Sequence, residues 1–282
     1  MQILAKLIYA IVIPQLYALW YWNDQLSQAE VNMHFLLSCF LDACLFWSHR
    51  QSTRDPGFLP PSWQGAKDTP EVKECTRCPC KLKTEQVHHC RHCKQCVFLM
   101  DHHCFFTNSC IGYNTMKPFA VMVFWLNLAV GQLVFMNLKC SLGRYPDQSV
   151  FGYFFWTNSS EDKSLLNLAM KILLSSAQYL LMFANLTLYL LLKNLTMNQS
   201  LIEQSKIGKL RKTLSKEALA ELDNSIQLKP TRSLKQALWL LMGEATVSSA
   251  WFVPCNVRPK LSEYLVLGAW RDRELALEGG RV

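Results

Sequence analysis

Long apolar stretches alternate with polar segments along this chain. Four of them carry almost no charge, at residues 3–22, 31–47, 119–138 and 165–192. Each comes near the ~20 residues that a helix needs to cross the hydrocarbon core of a bilayer. The third has no charged residue and no polar face, whereas a soluble helix of that length would show one. The pattern therefore predicts four transmembrane helices rather than four buried helices of a soluble protein.

The polar segments between these stretches differ in charge, which predicts the orientation of the helices. Residues 48–118 contain ten Lys and Arg, and the residues after 192 contain fourteen. Residues 23–30 contain none, and residues 139–164 contain three. Because basic loops stay in the cytosol, we expect both termini and residues 48–118 to be cytosolic. The net charge of +8 then reflects topology and attraction to membrane lipid, and we expect no nucleic-acid partner.

The segment from Cys75 to Cys110 is the most distinctive polar region. It contains eight of the twelve cysteines and five of the seven histidines of the chain. Cysteines recur there at two-residue spacing, and a mixed set of sulfur and nitrogen ligands suits tetrahedral zinc. A cytosolic location argues against disulfides, since that compartment keeps thiols reduced. Two zinc sites with three Cys and one His each would leave Cys80 and Cys104 unused.

Cys104 directly follows Asp101, His102 and His103, and a spare cysteine beside a base and a carboxylate is a candidate nucleophile. In an extended chain the side chains alternate, so His102 and Cys104 share one face. Asp101 and His103 share the other. On a helix, residues two apart do not face each other. The extended conformation therefore leaves His102, held by Asp101, as the base and frees His103 for a metal.

These residues resemble the DHHC-motif protein S-acyltransferases, the palmitoyltransferase family. The resemblance covers roughly residues 1–254 and is strongest from Cys75 to Phe119. Asp55-Pro56-Gly57 matches a conserved tripeptide of the family. The chain departs from the family at Phe105-Phe106, where Pro-Trp is usual. It also departs at Thr196-Met-Asn-Gln199, where the usual Thr-Thr-x-Glu secures the C-terminal tail, so we expect weaker docking of the tail.

The resemblance implies an enzyme that moves a long-chain acyl group, such as palmitoyl, from acyl-CoA to Cys104. A cysteine of a membrane-associated protein substrate would then receive it. Cys104, His102 and Asp101 would be catalytic, and two structural zinc ions would support them. The implied ligands are Cys75, Cys78, His89 and Cys96 for one zinc, and Cys90, Cys93, His103 and Cys110 for the other.

The predicted fold class is an integral membrane, mainly α protein with four transmembrane helices. A cytosolic two-zinc Cys-rich β-hairpin domain lies between helices 2 and 3, and we expect a location in the endoplasmic reticulum or Golgi. The five predicted parts of the chain, in order, are the first two helices (1–48), a linker (49–74), the catalytic zinc-binding domain (75–118), helices 3 and 4 with a lumenal loop (119–192) and a cytosolic C-terminal region (193–282).

Apolar residues also recur at three- and four-residue steps beyond Lys206, and basic residues fall mostly on the other faces. The apolar positions are Ile207, Leu210, Leu214, Ala218, Leu222 and Ile226. This pattern predicts an amphipathic helix, which either lies in the membrane interface or packs on the Cys-rich segment. Arg91, Lys94 and Lys117 are expected to form a solvated basic face or to contact the CoA phosphates.

Other functions also fit the sequence. The chain could be a catalytically silent membrane adaptor, in which zinc stabilises a scaffold and Cys104 is only a buried thiol. A membrane-bound RING-type ubiquitin ligase would also interleave two zinc sites. Its ligand spacing differs, however, and it would give Asp101 and His102 no role. Within the zinc sites, Cys80 is an alternative ligand to Cys78.

Overall fold

The fold is taken from a computed structural model. It describes residues 2–59, 75–78, 87–144, 165–197, 200–213, 215, 218, 233–242 and 252. The helices in these residues are α1 (Gln2–Tyr21), α2 (Gln28–Ser52), α3 (Met116–Arg144), α4 (Leu165–Thr196), α5 (Leu201–Leu210) and α6 (Leu234–Met242). The strands are β1 (Val87–Cys90), β2 (Gln95–Phe98), β3 (His102–Cys104) and β4 (Ser109–Ile111).

The chain divides into two compact units. The first, which we call the helical unit, comprises Met1–His49 and Ala120–Leu191. The second, the hairpin unit, comprises Arg50–Phe119 and Leu192–Val282. The four strands all belong to the hairpin unit, and so do the predicted catalytic residues. Cys80 and the C-terminal residues from 253 onward lie outside the described part of the chain.

Three helices in the described residues are long and apolar enough to cross a membrane. They comprise Gln28–Ser52, Met116–Gly143 and Ser175–Thr196. Helix α1 has 20 residues, and within it Ile11–Tyr21 forms a shorter apolar helix in the part that was described fully enough to assess. The mainly helical class with a Cys-rich hairpin region is thus confirmed, while the fourth span stays a prediction.

Polar pairs and apolar packing hold the helical unit together. Its buried apolar cluster consists of Ala18, Leu19, Trp22, Leu26, Val130, Leu133, Met136, Cys140 and Ala177. The indole N–H of Trp22 donates to Asn137 Oδ1 at 2.8 Å, and the amide nitrogen of Gln132 lies 3.3 Å from His34 Nδ1. Buried polar groups need a partner, so such pairs fix the alignment of neighbouring helices.

Two antiparallel hairpins form the centre of the hairpin unit. In the first, β1 pairs with β2 so that His89 lies opposite Cys96. In the second, β3 pairs with β4 so that His103 lies opposite Cys110. Strands of three or four residues bury little surface, and an isolated two-stranded hairpin is marginal in water. The hairpins therefore depend on further attachments.

The tripeptide Asp55-Pro56-Gly57 provides one such attachment. The carboxylate of Asp55 accepts the backbone N–H groups of Gly57 at 2.9 Å and Phe58 at 2.8 Å. Gly57 has a φ of 100°, a conformation that side chains disfavour. Its carbonyl accepts the N–H of Phe98 at 3.0 Å, and Phe58 forms a bridge with Val97. The tripeptide thus joins the segment after α2 to strand β2.

Gly112, directly after β4, packs against this attachment, and its replacement gives a test of the fold. A Cβ at position 112 would lie 2.7 Å from both Pro56 O and Val97 Cγ1. We expect Gly112→Ala to destabilise the hairpin unit by about 1–3 kcal/mol, the usual cost of overpacking. Thermal unfolding of the purified protein measures this change. Gly131→Ala is the control, because a Cβ at 131 meets nothing within 4 Å; equal unfolding midpoints would contradict the packing described.

Helix α5 differs from the predicted amphipathic helix in where it begins and ends, and it shows one contact of the C-terminal region. It begins at Leu201, before the predicted amphipathic repeat, and ends at Leu210. Its Ile202 packs against the buried cluster of Cys90, Val97, Met100 and Cys110. The first turn of α5 therefore packs on the Cys-rich segment. The positions Leu214, Leu222 and Ile226 of the predicted repeat lie outside the described residues, and the expected weaker docking of the tail stays a prediction.

Candidate catalytic and metal sites

Four side chains converge between the first hairpin and the segment at Cys75. The ligand atoms of Cys75, Cys78, His89 and Cys96 all lie within 4.8 Å of one another. The sulfurs of Cys78 and Cys96 are 3.4 Å apart. The Nδ1 atom of His89 lies 3.6 Å from the sulfur of Cys75. We call this group the first Cys/His cluster; Cys78 completes it among the described residues, and the alternative Cys80 lies outside them.

A second cluster joins the two hairpins. Cys90, Cys93, His103 and Cys110 bring their ligand atoms within 4.8 Å of one another. The sulfur of Cys93 lies 3.5 Å from both His103 Nδ1 and the sulfur of Cys110. The backbone N–H of Cys93 donates to the sulfur of Cys90 at 3.3 Å. These two groups of four are the same sets that the family resemblance implied.

The strand register explains how one hairpin serves both clusters. His89 and Cys90 are adjacent on β1, so their side chains point to opposite faces. His89 joins its cross-strand partner Cys96 in the first cluster. Cys90 joins Cys93, from the turn between β1 and β2, in the second. Alternation along a single strand therefore interleaves the two sites.

The donor set fits a metal ion of the zinc type. A tetrahedral ion with bonds of about 2.3 Å to sulfur would hold its ligand atoms about 3.8 Å apart, close to the distances found here. Burial and the neighbouring thiols of Cys90 and Cys93 raise the pKa of Cys110 well above its usual range. Such crowded thiols need a cation to become thiolates. Burial, together with His92 and His102, lowers the pKa of His103, which favours the neutral imidazole that binds metals.

The predicted catalytic residues also come together in the hairpin unit. The Nδ1–H of His102 donates to Asp101 Oδ2 at 2.8 Å, which leaves the Nε2 atom of His102 as the acceptor. The ring of His102 makes an edge contact with Phe119, with 5.5 Å between centroids. Asp101 and Cys104 are both buried. A carboxylate, an oriented imidazole and a shielded thiol are the parts of an activated cysteine nucleophile.

The local electrostatics favour an ion pair of His102 and Cys104. Burial opposes protonation of His102, but hydrogen bonds and charges of Asp101 and Cys104 outweigh it and raise the pKa of His102 to about 9. Burial likewise opposes ionisation of Cys104. Hydrogen bonds with His102 and Thr107 outweigh burial and lower the pKa of Cys104. The imidazolium and the thiolate therefore stabilise each other, and the thiolate is the nucleophilic form.

Sequence reasoning missed two groups at this site. Thr107, buried in the turn between β3 and β4, places its hydroxyl 3.4 Å from Cys104 O and 3.5 Å from Ser109 O. The backbone N–H of Leu201, at the start of α5, donates to Asp101 Oδ1 at 2.9 Å. Thr107 could have been suspected from the sequence, because its hydroxyl follows the predicted nucleophile by three residues. The contact of Leu201 uses a backbone N–H group, so its residue type gives no indication of it.

Lys117 corrects another expectation. The sequence suggested a solvated basic face or a contact with CoA phosphates. Lys117 is instead buried, and its ammonium donates to the carbonyl of Met242 at 3.1 Å. Met242 is the last residue of α6, so the cation lies at the negative end of that helix. Arg91 and Lys94 are exposed as expected.

The hairpin unit contains two Cys/His clusters and the sequence Asp-His-His-Cys, and this combination of features was compared with known protein families. Residues 68–204 match the family model described as DHHC palmitoyltransferase. This segment, just under half of the chain, is therefore similar to the family that the sequence resemblance predicted.

Curated relatives agree with this assignment. A probable protein S-acyltransferase 15 from Arabidopsis thaliana is 35% identical over 117 residues, covering 38% of this chain and 45% of the relative. Palmitoyltransferase ZDHHC7 from Mus musculus is 30% identical over 129 residues, covering 41% of each chain. Palmitoyltransferase ZDHHC3-A from Danio rerio is 37% identical over 73 residues, covering 24% and 23%. The chain thus spans less than half the length of these relatives.

Proposed function

We propose that this protein is a protein S-acyltransferase that carries a long-chain acyl group, such as palmitoyl, on Cys104. The observation that carries the proposal is the hydrogen bond of half-buried His102 to buried Asp101, beside a buried cysteine of lowered pKa. The family domain and the curated relatives support the same chemistry. A silent adaptor would need none of these charged groups in a buried site, where unpaired charge is costly.

In the first half-reaction His102 accepts the thiol proton of Cys104. The thiolate then attacks the carbonyl carbon of acyl-CoA, the carbon–sulfur bond to CoA breaks, and His102 returns its proton to the departing CoA thiolate. In the second half-reaction His102 takes the proton of a substrate cysteine, whose thiolate attacks acyl-Cys104. The Cys104 thiolate leaves and is reprotonated by His102. One thioester replaces another in each step, so no redox cofactor or nucleotide hydrolysis is required.

We further propose that each Cys/His cluster binds one structural zinc ion. His103 lies between His102 and Cys104 on β3, so a bond from its imidazole to the metal would also hold these two neighbours in place. The metal would take no part in the acyl transfer. We also propose that α1 is a fourth span and that the hairpin unit is cytosolic. The distribution of Lys and Arg between the polar segments supports this orientation.

Acylation of the purified protein tests the proposed function. The full chain is incubated with an alkyne-tagged palmitoyl-CoA and then probed by click labelling before and after hydroxylamine, which cleaves thioesters. We expect hydroxylamine-sensitive label on the wild type and none on Cys104→Ala, because the thioester forms on that sulfur.

Cys140→Ser is the matched control. Cys140 is buried to the same degree as Cys104, with 4% and 3% of the residue exposed, but it belongs to α3 in the helical unit. This variant should label like the wild type. An unlabelled wild type, or label that persists on Cys104→Ala, would contradict the assignment of Cys104 as the acyl carrier.

A further inference from the structure

The turn between β3 and β4 brings a further polar side chain to the reacting thiol. Cys104 ends β3, Ser109 begins β4, and the four residues between them form the turn. Asn108, the last of the four, has a φ of 49°, a left-handed conformation that asparagine adopts more readily than most residues. Within this turn Thr107 is buried, with only 5% of the residue exposed.

The hydroxyl of Thr107 makes only long hydrogen bonds in the resting protein. Its oxygen lies 3.4 Å from the carbonyl oxygen of Cys104 and 3.5 Å from that of Ser109. Typical O–H···O bonds are about 2.7–2.8 Å long, and a hydroxyl has a single proton, which rotates toward the best acceptor. The proton of Thr107 can therefore turn to a new negative charge nearby at little cost.

Thr107 also interacts with the sulfur that performs the proposed reaction. Both its backbone N–H and its hydroxyl are hydrogen-bonding groups toward Cys104 Sγ. During acyl transfer the carbonyl carbon of the acyl group bonds to this sulfur, and the carbonyl oxygen is one bond further away. Two donors that reach the sulfur are therefore close to the oxygen of the group being transferred.

We propose that Thr107 is a further catalytic residue, whose hydroxyl and backbone N–H stabilise the negatively charged oxygen of the tetrahedral intermediate on Cys104. In the addition step the thiolate forms a carbon–sulfur bond, and the π electron pair of the carbonyl moves onto its oxygen. When the intermediate collapses, that pair re-forms the carbonyl, the bond to CoA breaks, and the CoA thiolate takes a proton from His102. This inference rests on the proposed function and adds the residue that stabilises the charge between these two events.

The weak contacts of the resting hydroxyl favour this role. A donor accelerates a reaction only if it binds the transition state more strongly than the ground state. The hydroxyl of Thr107 exchanges two long contacts for one bond to an oxyanion, and such charge-assisted bonds are the stronger kind. The backbone N–H is held by the turn, so it needs no reorganisation when the charge develops.

Single-turnover acylation of the full chain at saturating palmitoyl-CoA tests the proposal. Thr107→Val keeps the shape of the side chain but removes the hydroxyl, and it should slow acylation by about a hundredfold, the cost of losing one oxyanion donor. Thr107→Ser keeps the hydroxyl and should retain most of the rate. Thr107→Ala, which lacks the hydroxyl in a smaller side chain, is measured as well, so that a folding defect in one variant does not decide the result.

Alkylation of Cys104 by iodoacetamide separates this role from an effect on the thiol itself. The sulfur displaces iodide in that reaction, so no oxyanion forms. The rate is followed by mass spectrometry of the peptide that contains Cys104. Thr107→Val should slow this alkylation far less than it slows acylation.

Thr53→Val is the matched control. The hydroxyl of Thr53 donates to the carbonyl of Arg50, three residues earlier, at 2.9 Å, which is the same local bond that Thr107 makes to Cys104. Thr53 also belongs to the hairpin unit, but it is exposed. This variant should be acylated and alkylated like the wild type.

Equal acylation rates of the wild type and Thr107→Val would overturn the proposal. Equal slowing of acylation and alkylation would overturn it too, because the hydroxyl would then act only on the thiol. A Thr107→Ser protein as slow as Thr107→Val would show that the hydroxyl is not the active group. If Cys104 of the wild type is alkylated but never acylated, the proposed function fails, and the role of Thr107 fails with it.

Discussion

Replacing Cys110 by serine is expected to lower the zinc content of the purified protein from two ions to one and to abolish acylation of Cys104. Cys110 is fully buried, with 0% exposed, and its partner across the hairpin is His103. Serine is a poor zinc ligand, and a structural zinc contributes on the order of 10 kcal/mol to the folding of a small domain. Without the second ion, β3 and β4 would lose the metal bonds that join them to the turn at Cys90 and Cys93. Elemental analysis of the protein, together with the acylation assay, measures both effects.

Ser109→Ala is the matched control for this substitution. Ser109 precedes Cys110 on the same strand and is half-buried, but its side chain is not a ligand. This variant should retain two zinc ions and acylate normally. A Cys110→Ser protein that still contains two zinc ions would contradict the ligand set, and one with full activity would contradict the dependence of the nucleophile on the second cluster.

Replacing His102 by glutamine should slow acylation by roughly a hundredfold to ten-thousandfold, the usual contribution of a positioned general base. The pH dependence should change as well. In the wild type the ion pair exists from the lowered pKa of Cys104 up to the pKa of His102, about 9. The acylation rate should therefore increase with pH as Cys104 ionises and decrease above about pH 9, where His102 loses its proton. In the variant the thiol loses its partner and its pKa rises, so the rate should keep increasing through that pH.

His92→Gln provides the comparison for His102→Gln. His92 is exposed and stacks on His103, with 4.6 Å between ring centroids, but it makes no described contact with Cys104. Its rate and pH profile should stay close to those of the wild type. A falling alkaline limb in His102→Gln would show that another group provides the proton, and equal rates in both variants would remove His102 from the mechanism.

The two Cys/His clusters could be predicted because the cysteine spacing indicates a metal site and the resemblance to the DHHC family implies which residues share each site. Cysteines two residues apart bring two sulfurs to one ion through a short turn, and side-chain alternation separates His102 from His103. The structure has His102–Cys104 as a strand, as that argument required. The same argument placed Asp101 on the face opposite His102. Asp101 instead precedes β3, so alternation does not apply to it and its carboxylate reaches the imidazole.

The supporting contacts of the site could not be found in the same way. The bond from Leu201 to Asp101 joins residues 100 positions apart and uses a backbone amide. Lys117 looked like a surface cation, but it lies at the end of a helix more than a hundred residues further along the chain. Such contacts depend on how distant segments dock, and no local pattern specifies that.

The small size of the two hairpins has a consequence for the protein in the cell. When a domain is stabilised by apolar burial alone, its free energy of unfolding does not depend on the concentration of a bound ion. Under the proposed assignment, the hairpin unit instead follows mass action, and each tenfold fall in free zinc would remove about 1.4 kcal/mol of stability per bound ion. Two ions make this loss about twice as steep. The amount of folded protein would then report on the zinc supply of the cell, independently of acyl donor or protein substrate.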